Sequence, residues 1–206
     1  APEVRPPAVA GTVTFGLFAQ PARISPATLD LVASVLRAVE GSRLLLRPLL
    51  QTDRPRRILD GLESRGIDSG RVKLSQGFLP PFEHLRAYLE ADVVLDTTPY
   101  CGTTTACEAL WMGRPLVTLA GEAHWSRSAA SILTRISREE WIAASPDQYV
   151  GIAADLAADK TALAEASRTM RDRMRGSPLM DARRLAGALE DAFASISAGS
   201  VPTPPR

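Results

Sequence analysis

Residues 92–117 read DVVLDTTPYCGTTTACEALWMGRPLV, and no other stretch restricts the fold as tightly. The short apolar run 92–96 suits a strand buried on both faces of a parallel sheet. It breaks at Thr97-Thr98-Pro99, passes Gly102, and enters a helical pattern through Thr103, Thr104 and Thr105. Gly113 is a stop signal, and a second apolar run, 115–119, follows it. Strand, loop, hydroxyl-rich helix start and strand together present orphan backbone N–H groups to an anion. The three threonines are expected to cap that helix start. Glu108, one turn in, is placed to accept hydrogen bonds from a ribose. The unit reads as a cradle for a nucleotide diphosphate.

The rest of the chain repeats the alternation. Residues 13–18 form a strand candidate, and Ser25-Pro26 then supplies an N-cap with proline at the first helical position. Leu29, Val32, Ala33, Leu36 and Val39 fit one helix face, closed by Gly41. A strand over 43–46, a helix over 56–64 ended by Gly66, a strand over 72–74 and a helix near 82–89 lead into the cradle. After it come a helix from about 125 to 136 and a remainder expected to be almost wholly helical, broken at Pro146, Gly176 and Pro178. Residues 1–11 read as a linker, 12–196 as one nucleotide-binding, Rossmann-like domain, and the proline-containing 197–206 as a disordered tail.

Strands separated by helices imply an α/β fold with a doubly wound parallel sheet, whose ligands bind beyond the carboxyl ends of the strands. The unusual polar residues fall at those ends: Gln20 and Arg23 after the first strand, residues 77–81 after the third, 97–105 after the fourth, and 121–127 after the fifth. Neither G-x-G-x-x-G after the first strand nor G-x-x-x-x-G-K-[ST] is present, which argues against an ordinary dehydrogenase or a P-loop NTPase.

Composition narrows the classes further. The 24 basic and 23 acidic side chains leave a formal charge of +1, so the global field favours neither nucleic acid nor an acidic membrane. Arg54, Arg56 and Arg57 read as a solvated face. Cys101 and Cys107 are too few for a disulfide scaffold and lack zinc-site companions, so they read as small buried hydrophobes. There is no Asp-x-Asp pair and no His/Cys cluster, so no metal and no cofactor is expected. No apolar run reaches membrane-spanning length and no signal peptide is visible, so a cytoplasmic location is expected.

Several motifs in order resemble one family. They are Phe18-x-Gln20-x-x-Arg23-Ile24-x-Pro26, Glu83-His84, Ala91-Asp92-Val93-x-Leu95-Asp96-Thr97 and Gly102-x-Thr104-Thr105. Leu110-Trp111-x-Gly113-x-Pro115-x-Val117-Thr118, Gly121-Glu122 and Ser126-Arg127-x-Ala129-Ala130-Ser131 complete the series. Over residues 15–189 the chain looks like the carboxyl-terminal half of the catalytic region of O-GlcNAc transferases and their SPINDLY-type relatives. These are glycosyltransferases of the two-Rossmann-domain, GT-B type. The resemblance implies a domain that binds a nucleotide-sugar donor, with UDP as the expected carrier. An upstream domain, preceded by helical repeats, is implied to deliver the acceptor protein.

Site residues follow from the matching positions. Gln20 and Arg23 match a glutamine and a basic residue that contact the donor phosphates, and Arg23 is assigned the catalytic role of stabilising the leaving diphosphate. His84 matches a histidine near the nucleotide. Thr104 and Thr105 match the last two residues of a His-Thr-Thr phosphate-binding start, where Thr103 replaces the histidine. Glu108 stands where the family has a ribose-holding aspartate, and Pro81 lies close to the place of a missing lysine. Other uses were open for some of these groups: an Arg23–Asp30 ion pair, Asp96 as a turn cap, Trp111 as core, and His124 and Trp125 as pocket lining.

The function expected is inverting transfer of a sugar, N-acetylglucosamine or another, to protein Ser or Thr. The rival is a degenerate domain kept for nucleotide sensing or protein interaction.

Overall fold

The computed structural model describes residues 1–7, 11–48, 54–75, 77 and 79–198. Six strands build one sheet: β1 (Thr14–Ala19), β2 (Arg43–Pro48), β3 (Val72–Leu74), β4 (Val93–Leu95), β5 (Leu116–Leu119) and β6 (Ile142–Ala143). All pair in parallel, in the order β3-β2-β1-β4-β5-β6. Phe15 is registered with Leu44 on one side and Val93 on the other, so β1 is central. The chain winds outward from β1 through β2 to β3, then returns to β1's other edge as β4. The connections after β1 and β4 therefore leave toward opposite faces, which makes the carboxyl ends of these two strands the switch point of the sheet.

Alternation along the strands sorts side chains into two cores. Phe15, Leu17 and Ala19 of β1 pack with Leu44, Leu46, Val93, Leu95 and Val117 beneath one helix layer. That layer is α1 (Pro26–Ala38), α2 (Arg54–Glu63) and α6 (Pro146–Ala158), which contribute Val32, Leu36, Ile58, Leu62, Tyr149 and Ala153. Phe18, Leu45, Val94 and Leu116 face the other layer. It comprises α3 (Pro81–Ala87), α4 (Thr104–Trp111), α5 (Ser128–Arg135) and α7 (Lys160–Arg175), with Ala109, Leu110, Leu133, Met170 and Met174 inward. The last helix, α8 (Ala182–Ser197), buries none of its residues.

The ends of α1 and α4 show local sequence at work. Ser25 is extended (φ −77°, ψ 166°), and its Oγ accepts from the Thr28 N–H at 3.0 Å, with Pro26 at the first turn. Gly113, just past α4, has φ +70°; a Cβ there would lie 2.6 Å from the Ser167 carbonyl oxygen. Only glycine fits that turn.

Two expectations are refined here. Residues after 136 are almost wholly helical, as α6, α7 and α8, with one exception: a 3-10 turn (Glu139–Trp141) leads into β6, whose two residues are too few to show a pattern. The 125–136 helix is instead a 3-10 turn (His124–Ser126) followed by α5. The start of the chain is strapped down: the Pro2 and Arg5 carbonyls accept from Arg171 and from the buried Arg114, at 2.8 and 2.7 Å. Residues 8–10 of the expected linker and 199–206 of the expected tail lie outside the described residues. No described helix is long and apolar enough to cross a membrane.

Candidate nucleotide-binding site

The start of α4 follows the loop after β4, at the switch point of the sheet. Its first three amides, Thr104, Thr105 and Ala106, have no acceptor among the described residues; Cys107 N–H, donating to the Thr103 carbonyl at 3.0 Å, is the first paired one. Such a start concentrates partial positive charge and suits an anion.

The expectation that threonine hydroxyls cap this helix is overturned. Thr103 sits at φ −113°, ψ −69°, and its side chain makes no capping hydrogen bond. A capping hydroxyl needs an extended backbone to swing over the first turn. The failure leaves more donors open. Thr103 and Thr104 are exposed and Thr105 is half-buried.

What fixes the loop ahead of α4 is Asp96, at the end of β4. It is buried; Oδ1 accepts from the Thr97 and Gly102 amides at 2.9 and 2.7 Å, and Oδ2 from Thr118 Oγ at 2.7 Å. The turn-capping use of Asp96 is therefore real, but the residue also crosses to β5. Burial pushes its carboxyl up to about 6, against the opposing pull of these donors and of the nearby Arg23 charge. The backbone carbonyl of Asp96 takes the Tyr149 hydroxyl at 3.0 Å. From the other flank, Thr28 and Ser25 of the α1 cap donate to the Thr98 carbonyl at 2.8 and 2.5 Å. The loop is thus held by three elements before any ligand arrives.

Gln20 leaves β1 extended and exposed, and its side chain has no hydrogen-bond partner among the described residues. Arg23 follows in a 3-10 turn. It does not pair with Asp30, whose carboxylate is taken by Arg65, in the turn after α2, at 2.7 Å. Instead its guanidinium donates to the Cys101 and Tyr100 carbonyls and stands 4.9 Å from the Tyr100 ring centroid. Its Nε is buried with no acceptor among the described residues. Arg23 therefore reaches the loop that precedes α4.

On the far side of α4, Glu108 Oε2 accepts from Tyr88 Oη at 2.8 Å and lies 3.1 Å from His84 Nε2. His84 and Glu108 are brought together, each about one-fifth to one-quarter exposed (21% and 25%). Tyr88 is wholly buried, stacked on Phe18 of β1 with ring centroids 4.0 Å apart. Burial and the Glu108 charge raise its phenol, so it stays a donor. Trp111 is only half-buried, beneath the Arg171 and Arg175 guanidiniums at 5.3 and 5.4 Å. His124 and Trp125 are exposed beside the loop, the Trp125 carbonyl accepting from the Cys101 amide at 3.0 Å. The Cys101 thiol is buried, and burial raises it, as a small hydrophobe requires. Sequence reasoning passed over Tyr88, which carried no signal beyond an aromatic on a helix face. It undervalued Asp96, whose place at the end of an apolar run was the available clue.

Comparison with known proteins bears on the family and the fold. The description "Glycosyl transferase family 41" matches residues 7–189. The chain is 40% identical over 188 residues to the Arabidopsis thaliana protein named probable UDP-N-acetylglucosamine–peptide N-acetylglucosaminyltransferase SPINDLY, covering 90% of this chain and 21% of that one. It is 35% identical over 181 residues to the Caenorhabditis elegans UDP-N-acetylglucosamine–peptide N-acetylglucosaminyltransferase, covering 87% and 15%. The solved structure of a Thermobaculum terrenum O-GlcNAc transferase mutant superposes with a TM-score of 0.83 at 34% identity, over 94% of this chain and 38% of that one. The chain spans about a fifth of the length of the curated relatives it matches. With its parallel sheet, its Rossmann-like GT-B architecture and this extent of identity, the chain belongs to glycosyl transferase family 41, the O-GlcNAc transferase and SPINDLY type.

Proposed function

We propose that this chain is the donor-binding half of a protein O-glycosyltransferase, and that the donor is a nucleotide-diphosphate sugar of the UDP-N-acetylglucosamine class. The observation that carries the reading is the uncapped start of α4, with three open amides beyond the carboxyl end of β4, at the switch point beside β1. The names of the relatives support a peptide acceptor and a UDP-N-acetylglucosamine donor.

On this reading the diphosphate lies on the Thr104, Thr105 and Ala106 amides. Gln20 and Arg23 approach it from the end of β1, Glu108 accepts from the ribose hydroxyls, and His84 stands beside the nucleoside. As the bond between the anomeric carbon and the diphosphate breaks, negative charge grows on the phosphate oxygens. Donors already fixed toward that charge lower the barrier, because they need no reorganisation in the transition state. Asp96 matters here by pinning the Thr97 and Gly102 amides, which holds the loop and the helix start in one arrangement. Inversion follows if the acceptor hydroxyl attacks from the face opposite the diphosphate. The group that removes its proton belongs to the upstream part of the protein or to the substrate.

The test has two arms. Calorimetric titration with UDP should show saturable binding by this chain. Turnover with UDP-N-acetylglucosamine and a Ser/Thr peptide should be at least about 100-fold slower than that of the full-length parent. Absence of binding by UDP, GDP and CMP alike would favour the degenerate-domain rival, and equal turnover would refute the division of labour.

A further inference from the structure

Tyr88 makes no contact expected of a nucleotide ligand, yet it is wholly buried and hydrogen-bonded to Glu108. A phenylalanine would fill the same space and stack equally on Phe18. Burying a phenol hydroxyl is unfavourable unless it is hydrogen-bonded, and its partner here is Glu108, on a different helix. The His84 ring stands edge-on to Tyr88, with centroids 5.7 Å apart and planes at 84°, and its Nε2 meets the same carboxylate oxygen. Oε2 of Glu108 therefore faces two donors, while Oε1 has no partner among the described residues.

We infer that Tyr88 is a positioning residue: its hydroxyl fixes the Glu108 carboxylate so that Oε1 is presented to the ribose diol of the nucleotide, and this sets selection of ribo- over 2′-deoxyribonucleotides. The inference rests on the nucleotide-binding reading above. A glutamate has three side-chain torsions, and freezing them during binding costs affinity. Tyr88 freezes them in advance. Its raised phenol keeps the hydroxyl protonated across the working pH range. Phe18 carries the stack into β1, two residues before Gln20, so one rigid column links the ribose and phosphate contacts.

The experiment measures affinities of UDP and 2′-deoxy-UDP by calorimetry for the wild-type chain, Tyr88→Phe, Glu108→Ala and the double variant, with thermal unfolding alongside. Wild type should favour the ribonucleotide about tenfold or more, the worth of one charge-assisted hydrogen bond. Tyr88→Phe should bring that preference to about threefold or less, by weakening UDP and sparing the deoxynucleotide. In Glu108→Ala the preference should vanish, and adding Tyr88→Phe should change nothing further, since one residue acts through the other. A merely structural tyrosine would weaken both nucleotides equally and leave the ratio intact. That outcome overturns the inference while the nucleotide-binding reading stands, as does a wild type that binds both nucleotides alike. A wild type that binds neither overturns both.

Discussion

Replacing Asp96 by asparagine separates the charge of this buried group from its geometry. Asparagine has the same shape: Oδ1 can keep the Thr97 and Gly102 amides now at 2.9 and 2.7 Å, and Nδ2 can donate to Thr118 Oγ, now 2.7 Å from Oδ2. The hydroxyl of Thr118 simply reverses its role. What is lost is an anion in a nearly dry site. Burial carries that carboxyl from its ordinary 3.8 to about 6, and a displacement of that size is worth about 3 kcal/mol. The sign follows from proton counting. Between those two values the folded chain keeps a proton that the unfolded chain has released, so stability falls as pH rises. The contribution is whole below about pH 4 and gone once pH passes the folded value. Asparagine has no such term. Urea unfolding of both proteins at pH 4 and pH 7.5 should therefore show Asp96→Asn gaining about 2–3 kcal/mol on wild type across that range. Other carboxylates titrate in both proteins and cancel. Parallel pH profiles would refute the claim that this side chain is held charged and desolvated. Asp96→Ala is the control: it strips the acceptor from three donors and should destabilise at every pH, by about 3–6 kcal/mol.

Four further substitutions, at three positions, probe the same frame. Gly102→Ala places a Cβ 2.3 Å from Thr105 Oγ and 3.2 Å from Asp96 Oδ1; UDP affinity by calorimetry should fall at least about tenfold, since the helix start must shift. Gly113→Ala combines a left-handed φ of +70° with a 2.6 Å approach to the Ser167 carbonyl, and denaturant unfolding should show a loss of about 2–4 kcal/mol. Arg23→Lys keeps the charge but loses the fork that grips the Tyr100 and Cys101 carbonyls; UDP affinity should drop several-fold, by roughly 1 kcal/mol, and Arg23→Ala should drop it further.

Much of this fold was legible because buried parallel strands leave a strong trace. The runs around Phe15, Leu44, Val93 and Val117 are apolar on both faces, so all four strands and the order of the elements could be read directly. Ser25-Pro26 announced the start of α1, and the cap is there. β6 was hidden because Ile142 and Ala143 are too short for any periodicity. The threonine run misled in a specific way: hydroxyls at a helix start suggest capping, but capping depends on the backbone angles of Thr103, which composition does not encode. Arg23 and Asp30 lie close in sequence, but Arg65 arrives from a distant turn and takes the carboxylate first. Arg114 carried no signal in the sequence; it is buried and donates to the Tyr88 and Arg5 carbonyls, and burial lowers it to about 10. Pairings of this kind become visible only when the chain is folded.

The central claim is that a diphosphate sits on the open amides of α4, and amide-resolved NMR of the 15N-labelled chain during UDP titration tests it most directly. Thr104, Thr105 and Ala106 should show the largest saturable shifts, with smaller ones at Gln20 and Arg23 and a plateau shared with calorimetry. Saturable UDP binding that leaves those three amides unmoved would contradict it.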